Sequence, residues 1–365
     1  MAFKLCTIGC GGISTGVHGP SYVKYRRENP DFETAACCDI DPQKAAAYAN
    51  RFGFARHYTN FTEMLRKEKP DAVCVTVDED HIAEVGVAVL NLGFPMFIEK
   101  PPGKNSRETL MLIDAARKAN VINQVGYNRR HMPILQRLRE MVALYERNEK
   151  TENSAAGCRD GLQHIRYDFY RVGRFDEDFS DTAVHGIDAV RYLTGADYVR
   201  VNFSYQALPQ YGTNVQNIYM DCTMSSGVHA ALSFCPVTGA VLERATISAK
   251  DNTWIANTPI WAEGYDKPGE LIHIYKNRAK AVISAADLCG DESGREGGAI
   301  NESAAAGGSY GGEVYITNGF YNENKAFFDC VRKGQKSACD LESALNTSLV
   351  KDCITNHEPF FELCD

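Results

Sequence analysis

The sequence predicts an α/β protein in two parts: an N-terminal doubly wound parallel sheet and a C-terminal α+β domain with a large, mainly antiparallel sheet. Up to residue 126, short apolar runs alternate with longer amphipathic runs, which is the pattern of repeated βαβ units. Beyond residue 126, one long amphipathic helix is followed by segments in which polar and apolar residues alternate. We therefore predict domains 1–126 and 127–365.

The individual elements follow from these periodicities. In the N-terminal domain, the predicted strands are FKLCTI, TAACC, DAVCVTV, PMFI and VINQVG, and the predicted helices are PQKAAAYANRF, FTEMLRKE, IAEVGVAVLNL and SRETLMLIDAARKA. In the second domain, the helix PILQRLREMVALYERN precedes the strands LQHIRYDFYRV, VRVNFSYQAL, VHAALSF, ATISAK and LIHIYK. Residues 284–312 are rich in Ser, Ala and Gly, which predicts a long loop. The C-terminal helices are NENKAFFDCVRKGQ and LESALNTSLVKDCI, and one alternative is that they pack against the first domain.

Composition excludes several classes of protein. A chain of 365 residues with 44% hydrophobic and 24% charged residues is ordinary for a soluble protein of two domains. The formal net charge of -8 offers no broad basic surface to nucleic acid or to an anionic membrane. The 13 cysteines form no CxxC pair, and no apolar stretch approaches membrane-spanning length. We expect a cytoplasmic protein with reduced thiols, no metal site and no nucleic-acid or membrane partner.

A glycine-rich loop follows the first predicted strand. The segment KLCTIGCGGIS places Gly9, Gly11, Gly12 and Ile13 where the first βαβ unit turns from strand to helix. Glycine lets the backbone turn tightly and approach a pyrophosphate, whose charge is met by amide N–H groups and a helix N-terminus. Ser14 stands where the third glycine or alanine of such loops is usual, which is a mild departure because Ser is also small. The loop predicts a dinucleotide site.

An aspartate at the end of the second predicted strand accompanies this loop. The carboxylate of Asp39 can accept hydrogen bonds from an adenosine ribose diol and would repel a 2′-phosphate, so NAD is favoured over NADP. The alternative is that Asp39 or Asp41 only caps the helix that begins at Pro42, and Asp41 suits that position well. Together, the loop, the aspartate and the βαβ context predict a Rossmann dinucleotide-binding domain.

Two charged residues follow the fourth predicted strand, PMFI. In FIEKPPGKN, Glu99 and Lys100 stand between an apolar run and two prolines, at the sheet edge where open α/β folds hold their ligands. Both are therefore candidate cofactor contacts, and Lys100 is also a candidate catalytic residue. The alternative is a solvated strand end, which on these residues alone is the commoner case.

The segment DTAVHGIDAVRYLTG carries a second set of candidate residues. If it is helical, Asp181 lies one turn before His185 on the same face, and Asp188 lies on the next turn. A carboxylate beside an imidazole raises its basicity and fixes its orientation, as a general base near neutral pH requires. Structural roles for these residues remain alternatives, and one histidine without cysteine ligands is a weak zinc signal.

These motifs together resemble one known family. The glycine loop, EKPPG, VGYNRRHMP, the D-x-x-x-H-x-x-D helix and NKAFFDCVRKGQ are similar in order and spacing to the glucose-fructose oxidoreductase / inositol dehydrogenase / MocA family over essentially the whole chain. The resemblance implies a Rossmann domain that binds NAD(P), and a second domain whose sheet supplies both a sugar pocket and an oligomer interface. It implies that Lys100 contacts the reacting hydroxyl, that His185 is the acid/base histidine, and that Asp181 is its partner. A homodimer or homotetramer is expected.

The predicted function is NAD-dependent hydride transfer to or from a secondary hydroxyl or carbonyl of a sugar, inositol or related polyol. A base must remove the hydroxyl proton while hydride passes to nicotinamide, with positive charge near the developing alkoxide. Weaker candidates for substrate contacts are Tyr127, Arg129, Arg171 and Asp188, because arginines at strand ends are more often solvated or paired structurally. The alternatives are an NAD-retaining glycoside hydrolase or lyase that uses transient sugar oxidation, and a dinucleotide-binding sensor without turnover.

One segment departs from the family's pattern. After DAVCVTV the family has a neutral turn against the cofactor, whereas this chain has an acidic one, from Asp78 to His81. Negative charge would be unfavourable beside a pyrophosphate. Either these side chains face solvent, or they serve a substrate with cationic groups or many hydroxyl groups.

Overall fold

The structure is a computed structural model that describes residues 2–152, 161–176, 178–259, 269–289 and 314–363. The chain forms two compact units, Met1–Asn128 with Asn301–Ser348, and Arg129–Ile300 with Leu349–Asp365. The units are thus discontinuous in sequence, whereas the sequence analysis placed a single boundary between residues 126 and 127. Most of the predicted loop 284–312 lies outside the described residues.

The first unit contains a six-stranded, entirely parallel sheet, as predicted. Its strand order is β3-β2-β1-β4-β5-β6, the order of a doubly wound Rossmann sheet. The strands are β1 (Phe3–Ile8), β2 (Phe32–Cys38), β3 (Arg56–Tyr58), β4 (Ala72–Val75), β5 (Met96–Ile98) and β6 (Asn123–Val125). Strand β3 was not predicted, because three mostly exposed residues carry no apolar run.

The helices of the chain lie where periodicity predicts them, with two short additions. They are α1 (Gly19–Glu28), α2 (Pro42–Phe52), α3 (Phe61–Glu68), α4 (Glu79–Asn91), α5 (Ser106–Ala119), α6 (Pro133–Glu152), α7 (Ser180–Thr194), α8 (Ala285–Leu288), α9 (Val314–Thr317), α10 (Phe320–Lys333) and α11 (Leu341–Thr355). A π-helical turn, Ser14–His18, leads into α1, and a 3-10 turn spans Asn128–His131. None of the helices in the described ranges is both long and apolar enough to cross a membrane.

Aromatic packing joins α10 to the first unit. Phe327 and Phe328 are fully buried in the same cluster as Phe3 of β1 and Phe32 of β2. The ring centroids of Phe328 and Phe32 are 5.0 Å apart, within the range of favourable aromatic contacts. The penultimate helix of the chain is therefore part of the core of the N-terminal unit.

The second unit contains a nine-stranded mixed sheet in the order β14-β13-β12-β11-β7-β10-β9-β8-β15. Its strands are β7 (Leu162–Tyr170), β8 (Tyr198–Ala207), β9 (Gln216–Met224), β10 (His229–Cys235), β11 (Leu242–Ala249), β12 (Asn252–Asn257), β13 (Glu270–Tyr275), β14 (Arg278–Ser284) and β15 (Phe360–Glu362). All neighbours pair antiparallel except β7 and β10, which are parallel. The predicted mainly antiparallel sheet is confirmed.

The two faces of this sheet differ. One face packs against α6 and α7, whose residues Leu138 and Ile187 lie in the same buried cluster as Ile165 and Phe234 of the sheet. On the other face, which we call the open face, most side chains are partly buried or exposed. One row across it runs through residues Arg166, Thr246, Ile255, Ile272 and Val282 of neighbouring strands. The alternating burial of each strand reflects this difference between faces.

Candidate active site

The glycine loop begins at a position where only glycine fits. Gly9 has φ +97°, and a Cβ there would lie 2.6 Å from the backbone oxygen of Thr76. Thr76 follows β4, and its hydroxyl donates to the carbonyl of Gly9 over 2.9 Å. The turn after β1 therefore needs glycine both for its conformation and for its close approach to the neighbouring strand.

The next two glycines are not required by the packing of the protein itself. A Cβ added at Gly11 or Gly12 would meet no atom within 4 Å. Ile13, the next residue, is 37% exposed. This part of the loop thus leaves open space at the N-terminal end of the helical segment, as the approach of a ligand's phosphates would require.

Ser14 has a packing role that explains the departure from glycine or alanine. Its side chain is fully buried, and its hydroxyl donates to the hydroxyl of Tyr48 in α2 over 2.9 Å. A third glycine would leave this buried tyrosine hydroxyl without that partner.

Asp39 binds the backbone of the glycine loop. Its Oδ2 accepts a hydrogen bond from the N–H of Cys10 over 2.8 Å, and its Oδ1 accepts one from the N–H of Asp41 over 2.9 Å. The N-terminus of α2 is capped by Asp41, whose Oδ1 accepts from the N–H of Gln43 over 2.8 Å. The two aspartates therefore have separate tasks. Between them, the side chain of Ile40 is 93% exposed at the end of β2.

The residues of the EKPP segment lie at the carboxyl end of β5. Glu99 is buried, so it is not part of a solvated strand end, while Lys100 is partly buried. Oε1 of Glu99 lies 2.7 Å from Nε2 of His18, and Oε2 accepts the backbone N–H of Lys100 over 2.9 Å. The Lys100–Pro101 peptide bond is cis. Direct contacts of Glu99 and Lys100 with a cofactor stay predictions.

The acidic turn after β4 faces solvent. The side chains of Asp78 and Asp80 are 69% and 67% exposed. Asp78 pairs with His81 over 2.7 Å, and Asp80 pairs with Lys104 over 2.5 Å. These exposures favour the first of the two interpretations given above, because the charges are hydrated and partly neutralised rather than directed at a buried ligand.

In the second unit, α7 confirms the predicted helical spacing of Asp181 and His185. Oδ1 of Asp181 forms an ion pair with Nζ of Lys351 over 2.8 Å, and the side chain of Lys351 is only 3% exposed. Lysine is rarely buried unless it is paired. The sequence analysis did not single out Lys351; the only signal was a lysine within the helical pattern of α11. The partnership of Asp181 with His185 stays a prediction.

The two predicted substrate arginines converge on a buried glutamate. Nε and Nη2 of Arg129 each lie 3.1 Å from the carboxylate of Glu243, and Nη2 of Arg171 lies 2.7 Å from it. The hydroxyl of Tyr167 donates to the same carboxylate over 2.6 Å. Burial alone would raise the pKa of Glu243, but the two guanidinium groups lower it to about 2. Arg129 and Arg171 are thus paired structurally, and their contact with substrate stays a prediction.

Asp188 and Tyr127 are also buried. Asp188 is fully buried and accepts from Nε and Nη2 of Arg130 over 2.8 and 2.6 Å. A bidentate pair of this kind fixes the direction of the arginine. Tyr127, in the first unit, is 1% exposed. Asp188 therefore anchors Arg130. Contacts of Asp188 and Tyr127 with the substrate stay predictions.

Comparison with known proteins agrees with the strand order and the glycine loop. Residues 3–127 match the model of the Gfo/Idh/MocA oxidoreductase family with an NAD-binding Rossmann fold. The sequence of these residues is thus similar to the N-terminal part of Gfo/Idh/MocA oxidoreductases. The first unit of the chain is accordingly an NAD-binding Rossmann fold.

Curated proteins that are similar to this chain align with it over part of their length. A D-glucoside 3-dehydrogenase of Escherichia coli strain K12 is 29% identical over 198 residues, which are 54% of this chain and 55% of that protein. An inositol 2-dehydrogenase/D-chiro-inositol 3-dehydrogenase of Lactiplantibacillus plantarum is 25% identical over 190 residues, 51% of each protein. The chain thus spans about half the length of these relatives.

The fold is similar over the whole chain to a solved structure, levoglucosan dehydrogenase in complex with NADH and levoglucosan. The TM-score is 0.74 and the sequence identity 16%, with 100% of each chain covered. At this identity the likeness shows the fold alone.

The different surroundings of the glycines predict different effects of substitution. We expect Gly12→Ala to leave the unfolding temperature within about 1 °C of wild type, because its Cβ meets open space. The same variant should weaken NAD binding about tenfold or more, because the methyl group occupies the space that the phosphates need. Calorimetric titration with NAD and differential scanning calorimetry measure both quantities.

Gly9→Ala is the matched control. Its positive φ and its 2.6 Å approach to Thr76 predict a loss of about 2 kcal/mol or more in the free energy of unfolding. Equal effects of the two alanines on stability, or unchanged NAD affinity of Gly12→Ala, would contradict the placement of the cofactor over Gly12.

The Glu243 cluster predicts a dependence of stability on pH. The folded-state pKa of Glu243 is lowered from 4.5 to about 2, so the stabilisation is fully present above pH 4.5 and is lost as pH falls towards 2. Glu243→Gln should lower the unfolding free energy by about 3–5 kcal/mol near pH 7, because two arginines lose a buried partner. Its stability should also change less than that of wild type between pH 4.5 and 2.

Tryptophan fluorescence measures unfolding of the second unit, because both tryptophans, Trp254 and Trp261, fall within its sequence range. The matched control is Glu362→Gln, which breaks a 2.8 Å pair with Arg200 whose side chains are more than half exposed. We expect it to cost less than about 1 kcal/mol. If Glu243→Gln lowered the free energy of unfolding no more than Glu362→Gln does, the buried cluster would not stabilise the second unit.

Proposed function

We propose that the protein is an NAD-dependent dehydrogenase or reductase that transfers a hydride between nicotinamide and a secondary hydroxyl or carbonyl of a sugar, inositol or related polyol. The observation that carries the proposal is which residues lie at the carboxyl edge of the parallel sheet. There, Asp39 after β2 binds the backbone of the glycine loop, and Lys100 lies two residues after the end of β5. A dinucleotide and an alcohol oxygen are the ligands that this combination suits.

Asp39 supports NAD as the cofactor rather than NADP. A carboxylate offers about four lone-pair positions, and the two backbone N–H groups use two of them. The remaining positions can accept both ribose hydroxyls, whereas a 2′-phosphate would bring like charges together. The exposed side chain of Ile40 offers an apolar surface beside them for the adenine ring.

Lys100 and His185 have complementary tasks in the proposed reaction. His185, one helical turn after Asp181, takes the proton of the substrate hydroxyl as hydride leaves its carbon for nicotinamide. The ammonium group of Lys100 stabilises the negative charge that develops on the oxygen. Asp181 orients the histidine, and Lys351 neutralises Asp181 through their buried ion pair. Tyr127, Arg129, Arg171 and Asp188 stay weaker candidates for contacts with the substrate's other hydroxyl groups.

The relatives support a polyhydroxylated ring as the substrate class. Two of them are named as dehydrogenases of a D-glucoside and of inositols. The acidic turn at Asp78 and Asp80 faces solvent, so it does not favour any particular sugar.

We further propose a cytoplasmic homodimer or homotetramer that assembles through the open face of the second unit. That face carries Ile255, Ile272 and Val282 in one row, and Val282 is 60% exposed. Apolar residues placed on adjacent strands are typical of faces that are covered in an assembly. No disulfide joins the described cysteines, in agreement with a reducing compartment.

Incubation with NAD and a panel of inositols, free sugars, sugar acids and glycosides tests the function, with NADH absorbance and product analysis followed together. We expect NADH to accumulate with one group of polyols. His185→Gln should lower kcat at least about a hundredfold while NAD affinity stays near wild type. His57→Gln, at an exposed histidine of β3, is the matched control and should leave both unchanged.

Other outcomes would overturn the proposal. Product formed from a glycoside without NADH would indicate redox-assisted bond cleavage. NAD binding without product from any member of the panel would indicate a sensor. Retention of most activity by His185→Gln would remove this histidine from the mechanism.

A further inference from the structure

A chain of buried polar groups runs through the first unit to the backbone of Lys100. Nδ2 of Asn324, in α10, lies 2.9 Å from Nδ1 of His18, and Nε2 of His18 lies 2.7 Å from Oε1 of Glu99. The other oxygen of Glu99 accepts the N–H of Lys100 over 2.9 Å. His18 and Asn324 are fully buried, and Glu99 is 6% exposed. Three segments far apart in sequence thus meet at one strand end.

The contacts define which atoms carry hydrogen. Nδ2 of Asn324 also donates to the carbonyl of Phe320 over 2.7 Å, so the amide nitrogen faces both Phe320 and His18. Nδ1 of His18 is therefore an acceptor, and the ring hydrogen resides on Nε2. It is donated to Glu99. Two N–H groups, from His18 and Lys100, accordingly converge on the two oxygens of one carboxylate.

A metal ion is the main competing explanation for this cluster. Ligand atoms of His18, Glu99 and the buried Glu323 lie within 4.8 Å of one another. However, ligands of a tetrahedral zinc ion, at about 2.0–2.1 Å from the metal, lie about 3.3 Å apart. Nε2 of His18 and Oε1 of Glu99 are 2.7 Å apart, which is the length of a charge-assisted hydrogen bond. A shared hydrogen fits this gap and an ion does not.

The neighbourhood allows Glu99 little freedom. A Cβ at Gly126, after β6, would lie 3.3 Å from the carboxylate of Glu99 and 3.0 Å from the ring of Phe97. On the other side, Pro101 and Pro102 have no backbone N–H. The amide of Lys100 is therefore the last backbone donor before Gly103 with which the protein can hold this turn.

We propose that His18, Glu99 and Asn324 are positioning residues that hold the backbone of Lys100, and so place its ammonium group for catalysis. Because His18 ends the π-helical turn that follows the glycine loop, the same hydrogen bonds connect the cofactor-binding loop to the lysine. The catalytic part of this inference rests on the proposed function of Lys100. The structural part, the holding of its backbone, does not.

Matched variants separate hydrogen bonding from packing. His18→Phe keeps a ring among the neighbouring aromatic side chains but removes both hydrogen bonds. His18→Gln places an amide N–H near the position of Nε2 and should restore much of the function. Glu99→Gln keeps the shape but offers one acceptor to two converging N–H groups, so one of them faces an NH₂ group instead.

Hydrogen exchange of peptide 98–103 measures the backbone directly. Pro101 and Pro102 contribute no amide, so exchange in this peptide reports on few positions, with Lys100 among them. We expect exchange at Lys100 to be at least about tenfold faster in His18→Phe and Glu99→Gln than in wild type, and intermediate in His18→Gln. Unchanged exchange in His18→Phe would overturn the proposal even if the enzyme had no measurable turnover.

Kinetics test the catalytic consequence. In an active enzyme, His18→Phe and Glu99→Gln should lower kcat about tenfold, with the dissociation constant of NAD within about twofold of wild type and His18→Gln closer to wild type. A parallel loss of kcat, NAD binding and thermal stability without rescue by His18→Gln would indicate a purely structural cluster. Absence of turnover in wild type would refute the proposed function, while the exchange result would still decide the role of the hydrogen bonds.

Metal analysis completes the test. We expect the purified protein to contain less than about 0.1 equivalents of transition metal, and Glu323→Gln to leave Lys100 exchange as in wild type. A stoichiometric metal ion in wild type that is absent from both Glu323→Gln and Glu99→Gln would overturn the proposal and indicate a metal site instead.

Discussion

The hydrogen bond from the N–H of Cys10 to the carboxylate of Asp39 is the interaction on which the proposed nucleotide site depends. It joins the glycine loop after β1 to the end of β2, so the two segments proposed to contact a dinucleotide are held by each other. Because Asp41 caps α2 separately, Asp39 keeps lone pairs for a ligand. In the proposed function, the same charge also disfavours a 2′-phosphate, so one side chain would set both the loop geometry and the cofactor preference.

Buried charge is arranged differently in the two units. In the first unit, the carboxylate of Glu99 lies beneath the sheet edge and holds the backbone beside Lys100. In the second, Glu243 binds two arginines, and Asp188 binds Arg130. Each pair leaves few polar atoms unsatisfied, which is necessary because removing one partner of a buried pair costs several kcal/mol. Both units therefore contain buried, paired charges, which we call supports, and the support in the first unit holds the backbone of Lys100.

The elements and the turn at the glycine loop could be predicted from sequence because their signals are local. Each signal comes from residues that are neighbours in sequence. These signals are the βαβ pattern, the glycine loop, the cap at Asp41 and the helix that carries Asp181. The supports could not be predicted, because their partners are distant in the chain. His18 and Glu99 are 81 residues apart, and Arg129 and Glu243 are 114 apart. The pairing of Lys351 with Asp181 was missed for the same reason, whereas strand β3 was missed because its three mostly exposed residues carry no apolar run.

Calorimetric titration of the protein with NAD and with NADP, in wild type and in Asp39→Ala, tests the central claim most directly. The account predicts that wild type binds NAD at least about tenfold more tightly than NADP. It also predicts that Asp39→Ala weakens NAD binding and removes most of the preference. Equal binding of the two cofactors by wild type, or a preference that survives in Asp39→Ala, would show that Asp39 only holds the loop and that the cofactor is chosen elsewhere.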